Sequence, residues 1–335
     1  MKLSVLVTFY NQREYVDRAL NSILSQKTDY EYEILVGDDG SNDGTIEKLE
    51  EWQEKYPDKI KIYIMDRKEG IKYNSSFRAS RNRINLLKKV KGDYFLYLDG
   101  DDYFCDDNKF QKQLDFLEND DKKFFSMCAH NVYSVDEKSG NKKIFLRNMK
   151  KNMKIEAKDY WKKYYFHPDS IVFRSEYIDK IKYEFVEDYF NDNIIVYSFL
   201  QFGNMYYMSD IMACYSQTGN GIWTGNSKFV GCLRNLMDMD IERKINEEFF
   251  SASLVRHFWD IKYFMSNKNK QFDDSNKITF YLQQVKKDNL FITKNLYSYN
   301  SGKKGFKIKT YRLFFRSFIR YIIFNVKWVI ITRSR

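Results

Sequence analysis

The sequence predicts an α/β fold with a mostly parallel sheet, helices on both faces of that sheet, and a helical C-terminal region. Through the first hundred residues, apolar strand patterns alternate with helical patterns, as in consecutive βαβ units. Two predicted strands end in aspartates, at Asp38-Asp39 and at 99–102. The chain has 335 residues, which is long enough to bury a large core.

The predicted elements follow in order along the chain. Strands are expected at 3–9, 32–36, 59–65 and 95–99, with helices at 16–24, 46–52 and 74–90 between them. Asn11 is expected to cap the first helix, because asparagine accepts the free N–H groups of a first turn. Further strands are expected at 124–135, 142–147, 170–174, 205–208 and 212–215, with helices at 110–117, 157–165 and 193–202. A mostly helical pattern then extends from 223 to 291.

The stretch from Phe95 to Asp102 ends an aromatic strand in three carboxylates within four residues. Strand ends of a parallel sheet meet at its carboxyl edge, where α/β folds bind ligands. Crowded carboxylates repel each other unless a cation lies among them, and Mg²⁺ prefers carboxylates together with substrate phosphates. The pattern therefore predicts a metal site that holds a phosphorylated substrate. The alternative interpretation is an acidic surface turn.

The composition narrows the choice of partner and compartment. The formal net charge is +10 and the pI is about 9.1, which favours nucleic acid, a membrane surface or a phosphorylated substrate. The four cysteines are scattered without a CxxC pair, which indicates a reducing compartment and no zinc pattern. The N-terminal apolar run is too short for a signal peptide, and no apolar run reaches the length of a membrane span.

Three blocks carry a resemblance to a known family. They are Val5-Leu6-Val7-Thr8-Phe9-Tyr10-Asn11, Asp38-Asp39-Gly40-Ser41-Asn42-Asp43-Gly44-Thr45 and Asp99-Gly100-Asp101-Asp102. In this order and spacing the chain resembles glycosyltransferase family 2, and within it the bacterial capsule, lipopolysaccharide and wall-polymer enzymes. The resemblance covers about residues 3–225. It implies a GT-A nucleotide-sugar-binding domain at 1–225, with a nucleotide-sugar half at about 1–105 and an acceptor half at about 106–225.

The resemblance also implies roles for individual residues. Asp39 would contact the uracil of a UDP-sugar, and Asp38 would hold the loop. Asp99 would lie near the ribose, and Asp101 would bind the Mg²⁺ or Mn²⁺ that bridges the diphosphate. The other nucleotide-sugar residues implied are Thr8 and Tyr10 along the base, Asn74 and Arg78 before the acidic strand, and Gly100.

A transfer that inverts the anomeric carbon needs a carboxylate to take the acceptor's proton. The resemblance places this carboxylate at the start of a helix, and Asp192 in the block 190–193 matches that position. Asn191 replaces the family's usual glycine, and Glu187 and Asp188 lie close enough in sequence to compete for the role. The alternative for Asp192 is that it caps the helix, a position that aspartate favours.

Two further residues have expected roles around the acceptor. His167 lies where the family places acceptor-side residues, although a lone histidine is more often structural. Trp223 could be a lid aromatic that stacks on a sugar, or a core residue. The family often has a metal-binding histidine in the stretch that is 215–218 here, and this chain lacks it. Either the metal has fewer protein ligands or it is held more weakly.

Residues 226–300 are expected to form a helical region and 301–335 a basic amphipathic tail. Arg312, Arg316 and Arg320 are spaced four apart and therefore share one helical face. With aromatic and aliphatic residues on the other faces, the pattern suits a helix that lies in an anionic membrane interface. The alternative is a basic helix packed on the body. Nucleic-acid binding is disfavoured, because no nucleic-acid motif accompanies the charge.

Together these features predict a metal-dependent inverting glycosyltransferase. It would move a sugar from a UDP-sugar to a hydroxyl of a growing, lipid-linked bacterial surface polysaccharide, in the cytoplasm at the inner face of the cell membrane. One alternative is a sugar-nucleotide nucleotidyltransferase, whose usual Gly-rich, Arg-containing N-terminal loop is missing here. Another is a non-catalytic basic module that binds membranes or polymers, against which the intact aspartates argue.

Overall fold

A computed structural model of the chain describes residues 1–219, 227–266, 275–300 and 307–333. The chain divides into two compact units. The first comprises Met1–Ala157 and Tyr165–Gly221, and the second comprises Lys158–Tyr164 and Ile222–Arg335. The sheet belongs to the first unit, and the described part of the second unit is helical.

The sheet of the first unit is mixed. Its strands are β1 (Leu3–Phe9), β2 (Tyr32–Asp38), β3 (Ile60–Ile64), β4 (Tyr94–Asp99), β5 (Tyr103–Phe104), β6 (Phe125–Asp136), β7 (Lys142–Ile144), β8 (Met153–Ile155), β9 (Val172–Arg174) and β10 (Asn204–Gln217). They lie in the order β3-β2-β1-β4-β9-β6-β10-β5, with β7 beside β6 and β8 beside β10. β1 to β4 are parallel to their neighbours in this group, as crossover connections through helices require. β9 is antiparallel to β4 and β6.

Helices flank the sheet and build the second unit. In chain order they are α1 (Val16–Leu24), α2 (Thr45–Lys55), α3 (Ser75–Leu87), α4 (Lys109–Glu118), α5 (Ala157–Lys163), α6 (Tyr183–Val186), α7 (Asp192–Leu200), α8 (Lys228–Ile245), α9 (Phe250–Arg256), α10 (Phe258–Ser266), α11 (Ser275–Lys287), α12 (Phe291–Asn300) and α13 (Lys307–Arg333). The α/β class with a helical C-terminal region, predicted from the sequence, is confirmed.

β10 is a continuous strand where the sequence predicts two. Its pairing with β6 shifts register between Tyr207 and Ile211, so the strand bulges around the polar pair Ser209-Asp210 instead of ending there. The backbone N–H of Ser209 at the bulge donates to Oδ1 of Asn152 at 2.8 Å. The sequence pattern divides the strand at this point because a bulge and a turn have similar local sequences.

Asn11 does not cap α1, and that prediction is wrong. Its backbone has φ +50°, a left-handed conformation that asparagine tolerates better than most residues. Its side-chain Oδ1 accepts the N–H of Asn42 at 2.9 Å, and its own N–H donates to Oγ of Ser41 at 2.8 Å. Asn11 therefore joins the loop after β1 to the loop after β2.

The carboxyl ends of the central strands meet at one edge of the sheet. Thr8 in β1 lies opposite Asp99 in β4, and Phe9 lies opposite Asp38 in β2. β1 and β4 are almost fully buried, because helices cover the faces of this parallel part of the sheet. The strands thus hold the two acidic turns at the same edge of the sheet, on either side of β1, as predicted.

The second unit packs its helices around aromatic and buried polar contacts. Phe258 in α10 stacks on Tyr321 in α13, with ring centroids 4.5 Å apart. The Ser317 hydroxyl of α13 donates to the carbonyl of Leu254 in α9 at 2.6 Å. One face of α13 is thus a structural part of this unit. None of the helices in the described parts of the chain combines the length with the apolar composition that a membrane span requires.

Candidate active site

The loop after β2 is shaped by Asp38. Its carboxylate is fully buried and accepts both the N–H and the hydroxyl of Ser41, at 2.7 and 2.6 Å. Burial raises the pKa of Asp38, and the hydrogen bonds from Ser41 oppose that rise. Gly40 and Gly44 have φ of +71° and +91°, which side-chain-bearing residues rarely adopt. The turn therefore depends on Asp38 and on these glycines.

Asp39 lies between two arginines. Its carboxylate is 5% exposed and pairs with Arg67 and Arg78. The Arg67 guanidinium lies over the Tyr10 ring at 4.0 Å, and Arg78 lies over the Tyr73 ring at 4.8 Å. The result is a cluster of alternating cations and aromatic rings at the end of β1 and β2. Such a cluster offers flat surfaces and donors to a nucleotide base.

Asn74 and Gly100 are placed for structural reasons. The Asn74 side chain caps α3 by accepting the N–H groups of Ser76 and Phe77 at 3.0 and 3.2 Å. A Cβ on Gly100 would lie 2.3 Å from Cδ1 of Phe9. A side chain at this position would therefore push the acidic turn away from β1.

Asp99 lies at the end of β4 within reach of two donors. Thr8 Oγ1 donates to it at 3.2 Å, and Nη2 of Arg83 contacts both of its oxygens at 2.8 and 3.0 Å. Nη1 of the same arginine donates to Oδ1 of Asp192 at 2.9 Å. The Tyr165 hydroxyl donates to the other oxygen of Asp192, also at 2.9 Å. The fold thus brings the first aspartate of the acidic turn and the expected base to the same guanidinium.

Asp101 has the electrostatic character of a cation ligand. Burial and the charges of Asp99 and Asp169 raise its pKa to about 6. Its main-chain carbonyl accepts a hydrogen bond from Arg18 at 2.8 Å, which holds the turn without neutralising the carboxylate. A divalent cation would relieve the crowding, and carboxylate oxygens are the ligands that Mg²⁺ and Mn²⁺ prefer. The donor set therefore fits the metal predicted from the sequence.

Beneath the acidic turn, Asp102, His167 and Asp169 form a buried cluster with potential ligand atoms within 4.8 Å of one another. Asp169 accepts the N–H of Asp99 at 3.2 Å, and Asp102 accepts that of Ser216 at 2.6 Å. Nδ1 of His167 lies 3.1 Å from Asp169, and Nε2 lies 3.9 Å from Asp102. Burial alone would lower the pKa of His167, but the charge of Asp169 reverses this and raises it. The cluster anchors the turn, and its carboxylates and imidazole are also suitable ligands for a divalent metal.

The remaining predicted residues are those expected on the acceptor side and those that could compete with Asp192 as the base. His167 is 5% exposed and faces the carboxylates of the buried cluster instead of an open acceptor surface. Asp188 pairs with Arg81 at 2.7 Å, and the neighbouring Glu187 is exposed at the end of α6. Trp223, the expected lid residue, lies outside the described residues.

The comparisons with known proteins decide the family. The model of glycosyl transferase family 2 matches residues 4–182. The chain belongs to this family. Among curated relatives, TuaG of Bacillus subtilis, a glycosyltransferase assigned to teichuronic acid biosynthesis, is 32% identical over 115 residues, 34% of this chain and 41% of TuaG. A poly(ribitol-phosphate) beta-glucosyltransferase of Bacillus spizizenii is 32% identical over 104 residues, 31% of this chain and 15% of that protein. The chain thus spans less than half the length of these relatives.

A solved structure supports the fold assignment. The crystal structure of S. aureus TarS residues 1–349 in complex with UDP matches with a TM-score of 0.60 at 16% identity, over 94% of this chain and 90% of TarS 1–349. The GT-A fold and the family 2 membership predicted from the three blocks are confirmed.

Four residues of this family 2 site could not be found from the sequence. They are Arg67, Tyr73, Arg83 and Tyr165. None of them lies in an acidic turn, and each reaches the site from a helix or loop that is distant in sequence. For Arg83 there was one signal, its place in a predicted helix with apolar residues, since a charge that a helix buries requires a partner.

Proposed function

We propose that the chain is a metal-dependent inverting glycosyltransferase that uses a UDP-sugar and transfers the sugar to a hydroxyl of a bacterial wall or surface polymer. The observation that carries this proposal is the proximity of Asp99 and Asp192, which contact the same guanidinium at 2.8 and 2.9 Å. One guanidinium holds a donor-side carboxylate and a candidate base close together. This arrangement suits a single displacement at an anomeric carbon.

The proposed chemistry assigns one task to each group. Asp192 removes the proton of the acceptor hydroxyl as the new bond to the anomeric carbon forms and the bond from that carbon to UDP breaks. Asp101 would hold Mg²⁺ or Mn²⁺, which when bound supplies positive charge to the departing diphosphate. Tyr10 and Asp39 would hold the base, while Asp99 would orient the ribose. The buried cluster under the turn holds the end of β4 through Asp169, which accepts the N–H of Asp99.

The polymer acceptor is inferred from relatives. TuaG is assigned to teichuronic acid biosynthesis, and the Bacillus spizizenii relative is named for poly(ribitol-phosphate). TarS 1–349 has been crystallised with UDP and with UDP-GlcNAc, which supports a UDP-sugar as the donor. We extend the proposal to a lipid-linked acceptor, which the resemblance to capsule and wall-polymer enzymes implies.

The test is a panel of nucleotide-sugars with release of the nucleoside diphosphate as the signal, measured with Mn²⁺, with Mg²⁺ and with excess chelator. We expect one or a few UDP-sugars to be hydrolysed slowly without acceptor, and the signal to disappear with chelator. Turnover that is undiminished by chelator would contradict the metal assignment. Release from other nucleotide-sugars but from no UDP-sugar would contradict the proposed donor.

A membrane surface is proposed as a further partner, through α13. Besides its contacts with α9 and α10, α13 carries large exposed apolar side chains, namely Tyr311, Phe315, Phe318, Ile319, Ile322 and Ile323. Arg312 and Arg316 are exposed on the same helix. Apolar residues flanked by arginine suit the interface of an anionic bilayer, where basic side chains meet lipid phosphates. This surface would place the enzyme at the inner face of the cell membrane, beside a lipid-linked acceptor.

A further inference from the structure

Arg83 is a buried cation in the interior of the catalytic unit. It lies near the end of α3, is 8% exposed, and its backbone carbonyl accepts the hydroxyl of Tyr97 at 3.2 Å. One guanidinium nitrogen contacts both oxygens of Asp99, and another contacts Asp192. Burial alone would lower the pKa of Arg83, but the charges of Asp99 and Asp192 raise it above its usual range. The side chain is therefore a permanent cation that bridges two carboxylates.

A purely structural role explains this arrangement poorly. Taking a guanidinium and its partner carboxylates out of water is costly, and a well-packed apolar residue often stabilises a protein as well or better. The same helix already buries Phe77, Ile84 and Leu87. The bridge instead fixes the orientation of the two carboxylates, since a guanidinium fork sets the direction of each carboxylate that it contacts.

We propose that Arg83 is a positioning residue for the sugar transfer, which holds the base Asp192 in register with the donor-side carboxylate Asp99. The inference rests on the proposed function. Arg83 fixes Oδ1 of Asp192, and the Tyr165 hydroxyl fixes Oδ2. Each carboxylate oxygen can accept a further hydrogen bond, so the acceptor hydroxyl can approach a base whose orientation is already set. Arginine cannot be deprotonated in proteins, so it does not compete for the acceptor's proton.

The bridge also explains why lysine would not suffice. A lysine ammonium is a compact point charge without the planar fork, so it can pair with one of the two carboxylates but does not hold both in fixed directions. Arg83→Lys keeps the charge and most of the volume. It separates the positioning role from a simple need for positive charge among the aspartates.

The experiment is a double-mutant cycle on the full chain with Arg83→Lys and Asp192→Asn. If Arg83 acts through Asp192, Arg83→Lys should lower kcat by roughly 10-fold or more, with little change in UDP affinity. In the Asp192→Asn background the same substitution should cost almost nothing further, because groups that act as a unit are strongly non-additive. Full additivity of the two effects, or an unchanged kcat in Arg83→Lys, would overturn the proposal.

Arg174→Lys is the matched control. Arg174 is equally buried, at 6% exposed, and lies opposite Tyr94 at the other end of β4, where it donates to main-chain carbonyls. It should lower thermal stability without a selective loss of kcat. A selective loss of kcat in Arg174→Lys as large as that in Arg83→Lys would contradict a role specific to Arg83. Absence of transfer by the wild-type chain would refute the proposed function itself, whereas additivity in an active enzyme refutes the role of Arg83 alone.

Discussion

Two neighbouring residues at the start of α7, Asn191 and Asp192, have different roles. The Asn191 side chain caps the helix by accepting the N–H groups of Asn193 and Ile194 at 3.1 and 3.2 Å. Asp192 is the first helical residue, and its carboxylate is turned to Arg83 and Tyr165. The cap explanation for Asp192 is therefore wrong in this structure. Its carboxylate has contacts that suit a positioned base.

Asp192→Asn is expected to reduce turnover by roughly 10²–10⁴-fold while donor binding stays nearly intact, the usual range for loss of a general base. The amide keeps the size of the side chain but cannot take a proton at neutral pH. Single-turnover transfer and UDP binding measure the two properties separately. Asn191→Ala is the control, and it should cost about 1 kcal/mol of stability with little loss of kcat. Near-normal turnover in Asp192→Asn together with an inactive Glu187→Gln or Asp188→Asn would reassign the base.

Asp101→Ala is expected to abolish transfer and to weaken the binding of UDP-sugar in the presence of Mn²⁺. Burial and neighbouring carboxylates raise the pKa of Asp101; a bound cation would relieve this crowding, and the substitution removes the proposed ligand of that cation. Calorimetric titration of UDP-sugar with and without Mn²⁺ tests the effect. In the variant the two titrations should become alike. Persistence of a large Mn²⁺ effect would move the metal to another donor set, such as Asp102, His167 and Asp169.

At the scale of elements, α3 organises the site as much as the strands do. Arg78, Asn82 and Arg83 reach the loop after β2, the carbonyl of Gly37, and the acidic turn, respectively. Arg78 and Asn82 are four residues apart and share one face of the helix, whereas Arg83 projects from the neighbouring face. One helix thus contacts Asp39 after β2, the carbonyl of Gly37 at the end of β2, and Asp192 at the start of α7. A shift of α3 would disturb all three.

The second unit contains a separate buried ion pair between helices. His257, between α9 and α10, lies 3.2 Å from Glu242 of α8. Burial alone would lower the pKa of His257, but the charge of Glu242 outweighs it and raises the pKa to about 9. The folded chain therefore keeps a proton that an unfolded histidine, with a pKa of about 6.5, would release.

This pair predicts a loss of stability at alkaline pH. Its contribution is fully present below the unfolded pKa and is lost as pH rises through about 9, because the folded state binds more protons in that interval. The contribution of this pair to the free energy of unfolding is at most on the order of 3 kcal/mol. Thermal unfolding followed across this interval should show a falling midpoint, and His257→Gln should flatten the slope while lowering stability at neutral pH. An equal slope in both proteins would show that other groups dominate.

The sequence predicts those parts of the molecule that depend on the order of neighbouring residues along the chain. The acidic turns follow apolar strands, and the strand ends that carry them meet at one edge of the sheet as expected, with Thr8 opposite Asp99. By contrast, Arg67, Arg83 and Tyr165 reach the site only through tertiary packing, so no spacing rule could identify them. His167 shows the opposite case: its position suggested an acceptor contact, whereas burial turns it to carboxylates.

At the scale of the whole molecule, a net charge of +10 favours association with anionic surfaces, and α13 offers the most apolar exposed face among the described helices. Deleting this helix is a poor test, because Phe258 and Leu254 depend on contacts from Tyr321 and Ser317. Substitutions on the exposed face leave those contacts in place. They can therefore separate membrane binding from folding.

Phe315→Ser with Ile319→Ser, and separately Arg312→Glu with Arg316→Glu, should each reduce co-sedimentation with anionic vesicles while UDP binding is kept. Each arginine near an anionic surface contributes on the order of 1 kcal/mol of binding free energy. The apolar pair strengthens binding further by inserting into the interface of the bilayer. Wild-type binding should weaken with salt, since exposed charges are screened beyond about 10 Å at 0.1 M. Ile64→Ser with Ile71→Ser, exposed apolar positions of the first unit, should change nothing. Equal binding to neutral and anionic vesicles by every protein would leave α13 with only its packing role.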